Sequence, residues 1–171
     1  MSITSTTSLP PARRRWPVYA ATTAAVAATA VVGGRAVDAD STWYRTLAKP
    51  PWQPPSWAFG AVWTPLYASI AWAGGRALLN AQGEQRRALA TSLGVNLTIN
   101  TAWNWLFFRR RSPAAGVAGT VLLDLSNADL IRRTAGADRT AATALLPYAA
   151  WCAFATELNI DITRRNRSED R

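Results

Sequence analysis

The chain has 171 residues, of which 49% are hydrophobic, with 19 Lys and Arg against 10 Asp and Glu, no histidine and one cysteine. This length suits one domain, and this apolar content excludes a disordered chain. Without histidine, and with Cys152 alone, the chain cannot form a Ser-His-Asp triad, a His-ligated metal or haem site, an internal disulfide or a Cys-x-x-C redox pair. We therefore predict no required cofactor, no metal site and no catalytic residue.

The net charge of +9 comes from short runs of arginine. Each run lies at the edge of a long apolar stretch, as cations do beside membrane helices. The runs are Arg13–Arg15, Arg86–Arg87, Arg109–Arg111, Arg132–Arg133 and Arg164, Arg165 and Arg167. A basic nucleic-acid surface is the alternative, but no nucleic-acid-binding motif accompanies the charge. We predict the lipid bilayer as a partner and no nucleic acid.

Five stretches along the chain are long enough to cross a bilayer, which takes about 20 helical residues. Three carry no charge over 19, 26 and 21 residues, namely 16–34, 50–75 and 88–108. Two more, 112–131 and 140–163, each contain two acidic residues. Aspartates in such segments are functional candidates by default, but Asp124 and Asp129 point about 140° apart and do not form a paired-carboxylate site.

The predicted fold is all-α, a polytopic membrane protein in which five transmembrane helices form one bundle. The helices are expected near 17–36, 57–79, 88–108, 113–132 and 140–163. The transmembrane domain spans 16–165, between a basic N-terminal tail, 1–15, and a charged C-terminal tail, 166–171. We expect a multi-pass protein of a bacterial cell envelope membrane.

The first apolar stretch has a second interpretation. Arg13–Arg15 followed by an Ala-rich run is also typical of a secretory signal, although no small-x-small cleavage site follows it. The orientation is not set by the cations, because nine fall on one predicted side and ten on the other.

The segment from Trp43 to Tyr67 is unusually rich in large rings and prolines. It contains four tryptophans, two tyrosines and five prolines in 25 residues. Such clustering indicates either an interfacial aromatic belt or a pocket for a planar ligand. The prolines restrict the backbone, so 49–56 should form a stiff lid that presents Trp52 and Trp57.

Three blocks of the sequence resemble one family. The first is the Trp43–Tyr67 segment, which resembles the loop and second helix of the tryptophan-rich sensory protein and translocator protein (peripheral benzodiazepine receptor) family. The second block is Asn100, Trp103, Leu106, Phe107 and Phe108, and the third is Leu145, Pro147, Tyr148, Trp151, Phe154, Ala155, Leu158 and Asn159. The resemblance covers about 17–166, with Trp105 standing where the family usually has proline.

The resemblance implies a five-helix membrane bundle, commonly dimeric, whose pocket opens toward the loop after the first helix. Family members bind porphyrins, and animal members bind cholesterol and drug-like ligands. They are described as sensors, transporters or regulators of tetrapyrrole and stress responses, and catalytic porphyrin breakdown has been proposed for some bacterial members. We accordingly expect porphyrin, or another planar apolar ligand, as the partner.

Aromatic and amide side chains in these blocks recur at helical spacing, so they share faces on three predicted helices. Such faces can stack on a porphyrin and bond its polar edge, whereas plain packing and interface anchoring are the alternative. The predicted ligand-binding residues are Tyr44, Trp52, Trp57, Trp63, Asn100, Trp103, Phe107, Tyr148, Trp151 and Ala155.

Small residues on the second and fourth helices permit close contacts within a protomer or between protomers, and we predict a homodimer. These residues are Ala71, Ala73, Gly74, Gly75, Ala114, Ala115, Gly116, Ala118 and Gly119.

For function, the sequence favours a tetrapyrrole-binding sensor, transport or regulatory protein over an enzyme. The alternative is light- or oxygen-dependent porphyrin degradation that uses pocket tryptophans, with the chemistry supplied by the porphyrin's own photoreactivity.

Overall fold

A computed structural model describes residues 15–167 of the chain. The predicted N-terminal tail, 1–15, therefore lies outside the described residues except for Arg15. The predicted C-terminal tail, 166–171, lies outside them except for Asn166 and Arg167.

Five long helices form the body of the molecule, and between residues 15 and 167 there is no β-strand. The helices in chain order are α1 (Trp16–Gly34), a short α2 (Thr42–Thr46), α3 (Ser56–Asn80), α4 (Gly83–Asn104), α5 (Pro113–Ala137), a short α6 (Arg139–Ala144) and α7 (Leu146–Arg167). The predicted all-α bundle of five long helices is confirmed.

Two helices extend well beyond their predicted limits. α4 begins at Gly83 instead of 88, and α5 continues to Ala137 instead of 132. The prediction ended each helix at the first arginines, but a charged residue only marks where a helix leaves the bilayer. The helix itself ends where the backbone turns, and here Gln82 and Asp138 adopt extended conformations.

The predicted fifth helix is interrupted at Leu145, which separates α6 from α7. Pro147 explains the break, since it has no N–H to donate to the carbonyl of Thr143. The sequence analysis also missed α2, a single turn whose N-terminus is capped by Ser41, with the Tyr44 backbone N donating to Ser41 Oγ at 3.3 Å.

The end of α4 widens into a π-helical turn at Trp105–Arg109. Its closing bond runs from Arg110 N to Trp105 O at 3.1 Å. A π turn adds a residue to the turn and so rotates the side chains that follow it. Trp105, at the position where the family usually has proline, lies outward, and its indole Nε1 donates to Val32 O at 3.2 Å.

Glycines allow the helices to approach closely inside the protomer. A Cβ atom at Gly75 in α3 would lie 2.5 Å from the ring of Tyr19 in α1, and one at Gly74 would lie 2.9 Å from Leu93 in α4. On α5, Gly119 packs against Trp103 in the same way. These small residues are therefore occupied within one protomer, and the homodimer stays a prediction.

Length and apolar composition alone qualify α1 and α5, among the described helices, as membrane spans. The other three long helices carry amide, phenol and indole groups that lower their hydropathy. Many of these groups are turned inward, as Asn96, Asn100 and Tyr148 show, each at most 1% exposed. Part of their polarity therefore lies in the interior of the bundle.

A chain of hydrogen bonds crosses this interior. The Tyr148 hydroxyl of α7 donates to Asn96 Oδ1 and accepts from Asn100 Nδ2, both at 3.0 Å. Asn96 Nδ2 continues the chain to Asn127 Oδ1 of α5 at 2.7 Å, and Asn100 Oδ1 accepts from the Tyr67 hydroxyl of α3 at 3.2 Å. Four long helices are thus joined by one buried amide and phenol network.

We expect Tyr148→Phe to destabilise the chain by about 2 kcal/mol, because it leaves the buried Asn96 Oδ1 and Asn100 Nδ2 atoms without partners. The matched variant Tyr67→Phe removes one bond at the end of the network and should cost about half as much. Reversible unfolding of the purified protein in mixed detergent micelles measures both values. Equal stability of Tyr148→Phe and the wild type would show that the network does not hold the bundle together.

Candidate functional site: an aromatic cavity beneath the loop after α1

A cavity of about 420 Å³ lies between α1, α3, α4 with its π turn, and α7. Part of its lining comes from the segment between α1 and α3, and the predicted opening toward that segment stays a prediction. It is lined by Ala30, Gly34, Val37, Ala39, Tyr44, Ser56, Phe59, Gly60, Trp63, Tyr67, Trp103, Asn104, Phe107, Phe108, Leu158, Asn159 and Ile162.

Two pairs of stacked rings form the side walls. Trp63 and Tyr67 of α3 have ring centroids 5.1 Å apart and planes inclined by 29°. Trp103 and Phe107, on α4 and its π turn, repeat the arrangement at 6.4 Å and 28°. Both pairs follow from i, i+4 spacing, which places two side chains one above the other on a helix face. The cavity thus has a pair of aromatic rings on each of two helices.

Tyr44 forms the roof. Its ring packs against Phe107 at 6.2 Å and Phe108 at 5.4 Å between centroids. The Lys49 ammonium lies over the Tyr44 ring, with Nζ 4.4 Å from the ring centroid. It also donates a hydrogen bond to the backbone oxygen of Tyr44. Gln53 Nε2 donates to the Tyr44 hydroxyl at 3.2 Å. The loop itself therefore fixes the position of the roof.

The loop is also fastened to α7. The side-chain amide of Asn166 forms two hydrogen bonds with the backbone of Ala48. Ala48 N donates to Asn166 Oδ1 at 3.0 Å, and Asn166 Nδ2 donates to Ala48 O at 3.1 Å. This paired contact joins residues 118 positions apart and holds the proline-rich segment over the bundle.

Burial shifts the pKa values of Tyr44 and Lys49 at the roof of the cavity. It raises the pKa of Tyr44, an effect that the hydrogen bond from Gln53 partly opposes. It also lowers the pKa of Lys49. Tyr44 consequently stays a neutral phenol at neutral pH, able to donate a hydrogen bond.

The lining is polar at a few atoms and carries no charged side chain. Trp103 Nε1 and Asn159 Oδ1 are buried, and neither has a hydrogen-bond partner among the described residues. Asn104 Nδ2 donates to Asn100 O at 3.2 Å. The side chains of Trp103 and Asn159 both pack against α5, because a Cβ atom at Gly116 would lie 2.8 Å from Asn159 Oδ1 and one at Gly119 would lie 3.3 Å from Trp103 Cδ1. The two unpaired atoms are therefore unsatisfied groups within the packed wall.

The predicted site residues fall into three groups. Those that line the cavity are Tyr44, Trp63, Trp103 and Phe107. Those outside its lining are Trp52, Trp151 and Ala155, with Trp52 against Phe154 at 5.7 Å and Trp151 stacked on Phe154 at 5.0 Å between centroids. Those placed elsewhere are Asn100 and Tyr148, which belong to the buried network, and Trp57, which is 75% exposed. Ligand binding by any of them stays a prediction.

The proline-rich lid differs from its predicted form. It is ordered, but its tryptophans do not enter the cavity: Trp52 packs sideways on α7 and Trp57 points outward. The reason is that Tyr44, held by the Ser41 cap and by Lys49, already occupies the roof. Trp57 begins α3 where the chain leaves the loop, a position suited to interfacial anchoring.

Sequence reasoning missed several lining residues. Phe59, Phe108 and Asn159 lie in the recognised blocks, so their helical spacing from Trp63, Asn104 and Ala155 could have identified them. Ala30 and Gly34 of α1 carry no such signal, because nothing about a small residue in an Ala-rich helix reveals what it faces.

Comparison with known proteins gives a consistent result. The profile of the TspO/MBR family matches residues 21–165. The tryptophan-rich protein TspO of Chlorobaculum tepidum is 34% identical over 131 residues, covering 74% of this chain and 80% of the relative. The tryptophan-rich sensory protein of Cereibacter sphaeroides is 33% identical over 88% of this chain and 92% of the relative, and the human translocator protein is 32% identical over 79% and 82%.

Gly116→Ala in α5 should disturb the packing of Phe107 and Asn159, two residues that line the cavity. A Cβ atom there would lie 2.6 Å from Phe107 Cδ2 and 2.8 Å from Asn159 Oδ1, so one of them must move. We expect a loss of about 1–3 kcal/mol in unfolding free energy. Gly94→Ala is the control, since its Cβ would meet nothing within 4 Å, and it should be neutral or slightly stabilising. Equal effects would contradict close packing at Gly116.

Proposed function

This chain belongs to the TspO/MBR family of membrane proteins, and we propose that it binds a tetrapyrrole in the cavity beneath the loop after α1, as a sensor, transport or regulatory protein. The recognised relatives bear the names tryptophan-rich sensory protein and translocator protein, which fit a role in binding and signalling or movement of a ligand.

The observation that carries the proposal is the pair of stacked aromatic walls. A planar macrocycle lies well against flat rings, and the two pairs, Trp63 with Tyr67 and Trp103 with Phe107, both line one cavity. Its volume of about 420 Å³ falls within the range of small-molecule sites, roughly 300–1,000 Å³. Aromatic pairs add about 0.5–1.5 kcal/mol beyond the burial of their area.

The charge of the lining decides where the carboxylates of such a ring would lie. Because the lining carries no charge, the carboxylates of a porphyrin would stay at the mouth. Lys49 and the exposed Arg45 lie in the loop there.

We expect Trp63→Ala and Trp103→Ala each to weaken protoporphyrin binding about tenfold or more, because loss of a packed aromatic anchor typically costs about 2 kcal/mol. Trp57→Ala is the control, since this exposed indole does not line the cavity. The shift of the porphyrin absorption band on titration into purified protein measures affinity without relying on tryptophan fluorescence.

Equal affinities for all three variants and the wild type would contradict binding in this cavity. If wild-type protein accelerates the bleaching of bound porphyrin under illumination, and Trp63→Phe binds normally but abolishes that acceleration, porphyrin degradation would instead be supported.

We also propose that all five long helices cross the membrane, with α6 and α7 together as the fifth span. The bends between α3 and α4 and between α5 and α6 meet at one end of the bundle, where a Cβ atom at Gly136 would lie 3.4 Å from Gln85 Nε2. The loop with Tyr44 and the turn at Arg110 to Ser112 lie at the other end. Location in a bacterial cell envelope membrane stays a prediction.

Cysteine labelling in intact cells tests this topology. With a membrane-impermeant maleimide, Gln82→Cys and Gly136→Cys should be labelled from the same side, and Asp40→Cys from the opposite side. The native Cys152 is 1% exposed and should not react in folded protein. Labelling of Gln82→Cys and Gly136→Cys from opposite sides would refute five crossings.

A further inference from the structure

A second concave surface lies on the outside of the bundle, between α4 and α5, and is distinct from the aromatic cavity. It has a volume of about 480 Å³. Its lining residues are Ala88, Thr91, Ser92, Val95, Ile99, Leu122, Leu125, Ser126, Asp129 and Arg133. We refer to it as the α4–α5 groove.

The groove has two chemically different ends. Val95, Leu122 and Leu125 form an apolar end and remain 49%, 54% and 64% exposed. The other end is polar and contains Ser92, Asp129 and Arg133. A ligand that fills the groove must therefore be amphipathic, with an apolar chain and a polar or charged head.

The polar end is organised around one carboxylate. Asp129 Oδ1 accepts from Arg132 Nη2 at 2.8 Å, and Asp129 Oδ2 accepts from Arg133 Nε at 2.7 Å and from Ser92 Oγ at 2.8 Å. One negative charge thus holds two guanidinium groups, which leaves a net positive charge. Each guanidinium has five N–H donors in a fork that matches phosphate, and most of them are not used by Asp129.

The depth of this cluster suits a lipid headgroup. Arg132 and Arg133 end the long apolar part of α5, and Arg86 and Arg87 precede that of α4. The two helix ends lie side by side, as the approach of Gly136 to Gln85 shows. Four arginines therefore mark one membrane surface, while the apolar end of the groove extends from it toward the bilayer centre.

We propose that the α4–α5 groove is a binding site for an anionic phospholipid, with the phosphate at Arg132 and Arg133 and an acyl chain along Val95, Ile99, Leu122 and Leu125. Basic recesses between transmembrane helices have the chemistry that recognises such headgroups. A second copy of the chain suits the groove less well. A two-fold axis along the membrane normal would bring the arginines of both copies to the same level, where they repel.

Native mass spectrometry of the full chain from micelles with equal phosphatidylglycerol and phosphatidylcholine tests the proposal. We expect the wild type to retain phosphatidylglycerol about tenfold better, because each arginine near the surface strengthens attraction to anionic lipid several-fold. The double variant R132Q/R133Q should lose this preference. Thr91→Trp keeps every charge but fills the groove, and it should also lose the preference.

Matched controls separate a built site from diffuse surface charge. R110Q/R111Q removes the same charge at the opposite end of the bundle, and Thr23→Trp adds an indole on an exposed face of α1. Both should behave as the wild type. Equal retention of the two lipids by the wild type, or a preference that survives Thr91→Trp, would overturn the proposal. So would a disulfide between protomers at Leu125→Cys in phosphatidylglycerol membranes, because it would place a second copy in the groove.

Discussion

The fold depends on the hydrogen-bonded network around Tyr148, which lies in the interior of the bundle and joins four of its long helices. A membrane interior offers no water to satisfy Asn96, Asn100 or Asn127, and here each of these side chains has a hydrogen-bond partner on another helix. In the observed arrangement Tyr148 of α7 bridges Asn96 and Asn100 of α4, and these amides in turn bond α5 and α3. Apolar packing in lipid has little preference between helix faces, and the network supplies that preference.

The aromatic cavity follows from this arrangement. Asn100 faces the network while Trp103, one turn later on α4, faces the cavity, so the position of one fixes the other. Tyr67 belongs to both the network and the cavity wall, because its hydroxyl donates to Asn100 and its ring stacks on Trp63. Because the same helices carry the stabilising bonds and the aromatic walls, the walls are held in place before any ligand arrives. Such preorganisation lowers the entropic cost of binding.

The two ends of the bundle have different chemistry. At one end the loop after α1 lies over a cavity whose lining carries no charged side chain. This loop is held by the contact of Lys49 with Tyr44 and by that of Asn166 with Ala48. At the other end Arg132 and Arg133 of α5 both pair with Asp129. A planar ligand inside and an anionic lipid outside would therefore contact α4 at separate levels. Phe107, which packs against Gly116, and Asp129 lie at opposite ends of the pair formed by α4 and α5.

The sequence by itself determined the five long helices, since uncharged length is a local property that requires no knowledge of neighbours. It also identified Trp63, Trp103 and Phe107 as candidates for the lining of the cavity, because helical spacing decides which residues share a face. It did not reveal that Trp52 and Trp57 stay out of the cavity, that Asn100 and Tyr148 serve the network, or that Ala30 and Gly34 line the wall. These outcomes depend on which face of one helix meets which face of another. Only the tertiary structure decided them, because burial and hydrogen-bond pairing in α3, α4 and α7 are properties of the assembled bundle.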